Sequence, residues 1–223
     1  MVLDARRVLW MEQHRTLVAA DLHLGYVWAQ RRAGQLLPIT APEETVERLA
    51  QLAGEYDAKQ VVLLGDIVHQ AVPAPALRAE LQTLARRLDF ATVRWIGGNH
   101  DRELEPLLQA CGLKDVRVEA EAMAGPHLLT HGAAGEPAAN RDQGGWVIMG
   151  HEHPAIHLHD GVTTSVKCPC FLAGPGILIL PAFSTWAAGC NVRGGHFMSA
   201  LAQNAEFSRA YAILGGRILG VGL

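Results

Sequence analysis

Short apolar runs, each ended by a polar or glycine-rich turn, set the pattern of the chain. Residues 15–20, 60–64, 92–96 and 146–149 are runs of this kind and predict β-strands, and residues 127–130 form a shorter fifth. Between the first three lie segments with apolar positions three and four apart. One predicts a helix from Pro42 to about Tyr56, capped by Thr40, with Val46, Leu49, Leu52 and Ala53 on one face. A loop over residues 72–75 leads to a second helix, from about Ala76 to Leu88, with Leu77, Leu81, Leu84 and Leu88 aligned. A short third is expected over residues 103–110.

Beyond Val116-Arg117-Val118 the pattern changes to short strands at residues 127–130, 146–149, 155–158, 163–167 and 176–180, with Gly and Pro turns between them. The tail, residues 207–223, reads as a hairpin turning at Gly215-Gly216. An alternating strand–helix half followed by a strand-rich half predicts an α/β chain of two sheets stacked face to face with helices outside. With no composition shift that would mark a linker, residues 1–223 are expected to form a single domain.

A hydrophobic share of 49% and a charged share of 18% suit an ordered globule that buries a sizeable core. No apolar run reaches the roughly 18–20 residues needed to span a membrane, and residues 1–10 lack a signal-type apolar core, so a cytoplasmic protein with no membrane partner is expected. The formal charge of −3 gives no global attraction to nucleic acid. Four cysteines in 223 residues do not suggest a disulfide framework. Cys168-Pro169-Cys170 has the wrong spacing for a zinc knuckle, and in an alternating strand both thiols would face one side and pack.

The chemistry lies where the strands end. Five segments carry it: Asp21-Leu22-His23, Gly65-Asp66, Gly97-Gly98-Asn99-His100-Asp101, His131-Gly132 and Gly150-His151-Glu152-His153-Pro154. Polar residues placed repeatedly just past strands predict one site at a single sheet edge. Asp21 and His23 are two apart, so a regular strand would turn both to one face, and His151 and His153 repeat that spacing. Asp66 can bridge two cations with its two oxygens. Asn99 offers a neutral oxygen, which suits a site already rich in negative ligands. Carboxylate, amide oxygen and imidazole together favour two divalent ions, Mn²⁺ first, with Fe²⁺, Zn²⁺ or Mg²⁺ as alternatives, over Ca²⁺ or a thiolate-held metal.

Asp-x-His, Gly-Asp, Gly-Asn-His-Asp, His and Gly-His-x-His in this order resemble the calcineurin-like metallophosphoesterases, over residues 21–154. The resemblance implies a four-layer αββα sandwich with a dimetal site at the sheet edge. It implies one metal held by Asp21, His23, Asp66 and His153, and another held by Asp66, Asn99, His131 and His151. It also implies that His100 faces the substrate phosphate. A narrower similarity, to the ICC-like phosphoesterases and the ligase-associated DNA damage response endonucleases, rests on Asp21-Leu22-His23-Leu24-Gly25, Arg31, Arg32, Gly34, Pro38, Gly-His-Glu-His-Pro, Pro169-Cys170-Phe171 and Leu180-Pro181-Ala182-Phe183. Tyr26, where that branch often carries a basic residue, and residues 184–195 depart from it.

The implied reaction is in-line attack on phosphorus. His100 is expected to protonate the leaving oxygen, with Asp101 orienting its imidazole. Arg102, with Arg31 or Arg32, is a candidate phosphate contact, and His69, three residues past Asp66, a candidate for the pocket mouth. Tyr26 and Trp28 read as packing residues before they read as stacking partners for a base. Cys170-Phe171 and Pro181-Ala182-Phe183 read as core of the second sheet. Three functions are consistent with this: a phosphodiesterase or nuclease acting on nucleic acid or a nucleotide, with a place in DNA repair; a phosphomonoesterase or nucleotide pyrophosphatase; and a non-catalytic scaffold. Edge pairing across a two-fold would make a homodimer.

Overall fold

The computed structural model describes residues 1–37, 44–71, 74–133, 144–159 and 161–223. Thr40, Pro42 and Glu43, where the first long helix was expected to begin, lie outside the described residues, as do Pro38 and residues 72–73 of the expected loop.

The first sheet has six strands in chain order: β1 (Val2–Asp4), β2 (Val8–Met11), β3 (Thr16–Ala20), β4 (Gln60–Leu64), β5 (Thr92–Ile96) and β6 (Val118–Glu119). β1 to β3 pair antiparallel, and β3 to β6 pair parallel. The parallel steps need crossovers, and helices supply them: α1 (Tyr26–Arg32) and α2 (Glu44–Glu55), then α3 (Pro75–Arg87), then α4 (Leu104–Ala110). Pro75 opens α3 at a first-turn position, where its missing N–H costs nothing. Val46, Leu49, Leu52 and Ala53 of α2, with Leu77, Leu81 and Leu84 of α3, pack on Leu17, Ala19, Val61 and Leu63 of the sheet. The stripes predicted from periodicity are therefore the buried faces.

The second sheet holds β7 (Glu121–Ala124), β8 (His127–Thr130), β9 (Val147–Met149), β10 (Pro154–His159), β11 (Ser165–Gly174), β12 (Ile177–Ile179), β13 (Cys190–Asn191), β14 (Arg209–Leu214) and β15 (Arg217–Gly222). The order β13-β10-β11-β12-β9-β8-β7 forms its path, with the β14–β15 hairpin added beside β11. β8, β9 and β12 run parallel, and the other pairings are antiparallel except β10 with β13. Each sheet is thus mixed.

The sheets meet face to face over Leu9, Val18, Val62, Leu64, Leu129, Ile148, Phe171 and Leu178. The outer face of the second sheet carries Cys168, Cys170, Leu172 and Ile179. Both thiols therefore pack on one side, and burial pushes that of Cys170 up to about 12. The fourth layer is thin: it consists of α5 (Ala200–Gln203), capped by the Ser199 hydroxyl, and the loop around it. Among the described residues no helix is long and apolar enough to cross a membrane.

Three elements depart from the expectations. Residues 2–11 form a hairpin, and Val8–Met11 are buried throughout. The polar stretch after His23 contains α1, a helix with no fully buried residue and so no clear apolar stripe. Pro181-Ala182-Phe183 leaves the second sheet: Ala182 bridges to Ala20 of β3, and Phe183 packs in the helix-side core of the first sheet.

Two buried carboxylates hold the edge where β3, β4 and β5 end. Asp101 accepts hydrogen bonds from the backbone N–H groups of Ile67 (3.0 Å), Val68 (3.1 Å) and Gly98 (2.9 Å), which ties the loop after β4 to the loop after β5. Glu80, on α3, accepts from the Gly25 N–H at 2.9 Å and from the Trp28 side chain, which fixes the start of α1. Burial pushes the Glu80 carboxyl up to about 7.

Asp101→Ala leaves three N–H groups without their acceptor and should cost about 3 kcal/mol, read as a lower urea midpoint at unchanged slope. A loss under about 0.5 kcal/mol would show that the carboxylate does not hold these loops. Glu80 keeps its proton to higher pH in the folded chain than in the unfolded one. Its contribution to stability is therefore full below about pH 4.5 and lost as pH rises through about 7. Glu80→Gln does not titrate, so its stability relative to wild type should rise by on the order of 2 kcal/mol between pH 5 and pH 8. A pH-independent difference would contradict the raised carboxyl.

Candidate metal centre

β3, β4 and β5 of one sheet and β8 and β9 of the other all end at one seam. Their next residues supply Asp21, Asp66, the Gly97–Asp101 turn, His131, and His151 with His153. The parallel ladder continues briefly past the strands: the Asp21 N–H donates to the Gly65 carbonyl at 3.1 Å, and the His23 N–H to the Asp66 carbonyl at 2.9 Å. Sites outside the carboxyl ends of parallel strands are a general outcome of α/β topology.

The expected strand alternation does not deliver the paired residues. Asp21 (φ 54°), His23 (48°), Asp66 (44°), His151 (69°) and His153 (45°) all lie in the left-handed region. Side chains at these positions cost on the order of 1 kcal/mol each relative to ordinary backbone, and their concentration at one spot marks a site held by its surroundings. Asp21 and His23 converge because the chain coils after β3, not because a strand points them together.

Among the described residues three groups of possible ligand atoms form: one is His23, His69 and His100 at the rim, and the other two share Asp66. One ligand atom each from Asp21, His23, Asp66 and His153 lie within 4.8 Å of one another, as do one each from Asp66, His131 and His151. Glycine permits this closeness. A Cβ on Gly65, itself at φ +75°, would stand 2.1 Å from the His131 ring, and one on Gly98 would stand 2.2 Å from Asp66 Oδ1.

Asp21 is fully buried and Asp66 nearly so. Burial pushes the Asp21 carboxyl up, but hydrogen bonds from His131 (3.0 Å) and His153 outweigh it and hold the group below the usual carboxylate range. The His151 N–H also donates to Asp21, at 3.1–3.2 Å. Burial lowers His131 and His153, and Asp21 reverses the direction so that both end raised. Burial takes His23 down to about 4. His151 is lowered by burial and by His131.

The donor set fits a pair of cations. His23 Nε2 and His153 Nε2 face each other at 3.2 Å, and His131 Nε2 stands 3.0 Å from Asp21 and 3.6 Å from Asp66. Several Nε2 atoms thus close on two buried carboxylates, and among the described residues the buried Nδ1 atoms of His23 and His131 have no hydrogen-bond partner. Oxygen and imidazole donors of this kind suit first-row divalent ions.

The remaining candidates sit around the rim. The His100 side chain is 35% exposed, against 4% for Asp66. Its backbone N–H donates to Asp66 Oδ1 at 3.0 Å, and its Nε2 lies 3.9 Å from Asp66 Oδ2. The ring is oriented by the His69 carbonyl, which accepts from His100 Nδ1 at 2.7 Å. Asp101 does not orient it, because that carboxylate is occupied by Ile67, Val68 and Gly98. His69 itself lies against His23, Tyr26 and His100. Asn99 and Arg102 line a groove with Gly98, Thr130 and His131. Arg31 and Arg32 are exposed at the end of α1.

Two contributors were not anticipated. Glu152, between His151 and His153, is buried and accepts from the Met198 and Ser199 N–H groups, both at 2.8 Å, so it braces the histidine turn from the second sheet's outer face. Ser184 donates its N–H to the Asp21 carbonyl at 3.1 Å and carries the chain on to Trp186 beside α1. An acidic residue inside a histidine pair was a visible signal for the first; the second depends on a loop crossing between sheets.

Residues 14–122 match the family model described as calcineurin-like phosphoesterase. That span holds Asp21, His23, Asp66, Asn99 and His100, while His131, His151 and His153 lie beyond it and join them in space. Among solved structures, nuclease MPE of Pseudomonas putida superimposes with a TM-score of 0.67 at 25% identity, over 98% of this chain and 93% of that one. No curated protein matches the sequence. The motif order, the paired clusters at the sheet edge, the two-sheet fold and these matches together support the calcineurin-like metallophosphoesterase superfamily.

Proposed function

We propose that this protein is a dimetal phosphodiesterase of nuclease type. The observation that carries the reading is the pair of ligand groups meeting at Asp66, whose two oxygens can each serve one ion. In this reading Asp21, His23, Asp66 and His153 hold one ion, and Asp66, Asn99, His131 and His151 hold the other, with Mn²⁺ the favoured metal. Bound there, two divalent ions supply Lewis acidity to a phosphoryl group and make water acidic enough to attack near neutral pH.

The chain's own residues do the rest. Asp21 and Asp66 form a buried floor of negative charge, and Asn99 and His100 form an open rim where a phosphate can enter. His100 Nδ1–H is committed to the His69 carbonyl, which turns Nε2 toward the cluster. When charged, Nε2 can give its proton to the departing oxygen of an in-line displacement. His69 is thus a positioning residue through its backbone, and Arg102 can hold a neighbouring phosphate. The structural likeness to a nuclease and the exposed rim both support an extended diester, and the narrower sequence similarity supports a setting in DNA repair.

Metal-stripped protein should hydrolyse bis(p-nitrophenyl) phosphate faster than p-nitrophenyl phosphate once Mn²⁺ is restored, and Asp66→Ala should lose at least about a hundredfold. His100→Asn should slow a diester with a poor alcohol leaving group by about a hundredfold or more, and the p-nitrophenyl diester far less. A preference for the monoester would replace the proposal with a phosphatase. Equal loss on both leaving groups would remove the proton-donor role of His100.

A further inference from the structure

Between the metal centre and α1 lies a cleft with an aromatic wall, and the reaction above gives no role to its outer part, Tyr26, Trp28 and Trp186. It is lined by His23, Tyr26, Trp28, Ser184 and Trp186, with Glu80 at its base. The rings form a continuous run. His100 stacks on His69 at 5.4 Å between centroids, the edge of Tyr26 meets His69 at 4.7 Å, and Tyr26 lies nearly parallel to Trp186 at 5.9 Å and 19°. The run begins at the ring beside Asp66 and leads outward over half-buried side chains.

Packing alone does not account for the effort with which this wall is held. Tyr26 rides on α1, whose first turn is pinned by the buried Glu80 through the Gly25 N–H and the Trp28 side chain. Trp186 rides on a segment fixed from three sides. Phe183 and Ser184 donate their N–H groups to the carbonyls of Ala20 and Asp21, at 2.7 and 3.1 Å. Arg7 Nη1 donates to the Ala182 and Ser184 carbonyls at 3.3 and 2.7 Å, and Arg48 donates to the Phe183 carbonyl with its guanidinium over the Phe183 ring. The Ser184 hydroxyl accepts from the Trp186 N–H at 3.3 Å. Two large rings are thereby kept in place without being buried, next to the buried carboxylates.

Resting on the phosphodiesterase reading, we infer that Tyr26 and Trp186 form a stacking shelf for the nucleobase of the nucleotide next to the scissile phosphate. A base offers a flat π-face of the size these rings present, and stacking of this kind is tolerant of sequence. The spacing of Tyr26 and Trp186 leaves no room for a base between them, so the base stacks on the face of Trp186 turned away from Tyr26, with Tyr26 backing the indole. Trp28 is held by Glu80 and lines the same cleft.

The test compares two diesters with the same leaving group on Mn²⁺-loaded protein: thymidine 5′-(p-nitrophenyl phosphate), which has a base, and methyl p-nitrophenyl phosphate, which has none. Wild type should prefer the nucleoside diester in kcat/KM, mostly through KM. Trp186→Ala and Tyr26→Ala should each reduce that preference by about tenfold, and Trp186→Phe should keep most of it. A preference unchanged in both alanine variants overturns the shelf. So does a wild type that turns over both diesters with equal efficiency, a result that leaves the phosphodiesterase reading standing. Hydrolysis of neither diester by wild type overturns that reading, and the shelf with it. A variant that does not fold is replaced by Trp186→Phe against Trp186→Leu, where only the leucine should lose the preference.

Discussion

Carboxylates removed from water must be compensated, and Asp21 and Asp66 set that requirement for the whole sheet edge. Asp21 has no solvent exposure, yet its carboxyl stays below the ordinary range because His131, His153 and the His151 N–H converge on it. Those partners come from the opposite sheet, so the two sheets must stack with their parallel strand ends in register. Phe171, Leu178 and Ile148 against Val18, Val62 and Leu64 provide that stacking from apolar area alone. The charged centre and the dry interface are therefore two halves of one arrangement. The interface brings the charges together, and the charges fix how it is aligned.

Backbone geometry shows the same dependence. Non-glycine residues rarely occupy the left-handed region, and here five candidate ligands do so within one seam. Such a set persists only where neighbouring bonds over-determine it. Asp101 across three N–H groups, Glu152 across two, and the Asp21 and His23 bonds to the loop after β4 are those bonds. None of these carboxylates needs to touch a substrate to matter for the site.

Much of this was legible in the sequence because period and punctuation are local. β4, β5 and β8 fall on the predicted runs, and the buried faces of α2 and α3 are the predicted stripes. The residues brought together at the edge were visible as polar turns after apolar runs. What was not legible depends on contacts between distant segments. The His69 carbonyl, not Asp101, orients His100, and no side-chain pattern announces a backbone acceptor. β11 runs through Pro169, which strand propensity argues against but an established ladder with Ala155 accommodates. α1 has no buried stripe, and its start is set by a carboxylate more than fifty positions away.

The segment from Ala182 to Trp186 meets the Asp21 turn through main chain, by the Ser184 N–H on the Asp21 carbonyl. Any shift that this hydrogen bond transmits between the two places would be reciprocal. Whatever favours one position of the loop shifts the Asp21 turn, and whatever fixes the Asp21 turn returns the same free energy to the loop. If ions bind at the floor of the cleft and a base along its wall, as proposed above, the two occupancies would be linked equilibria, each affinity a function of the other.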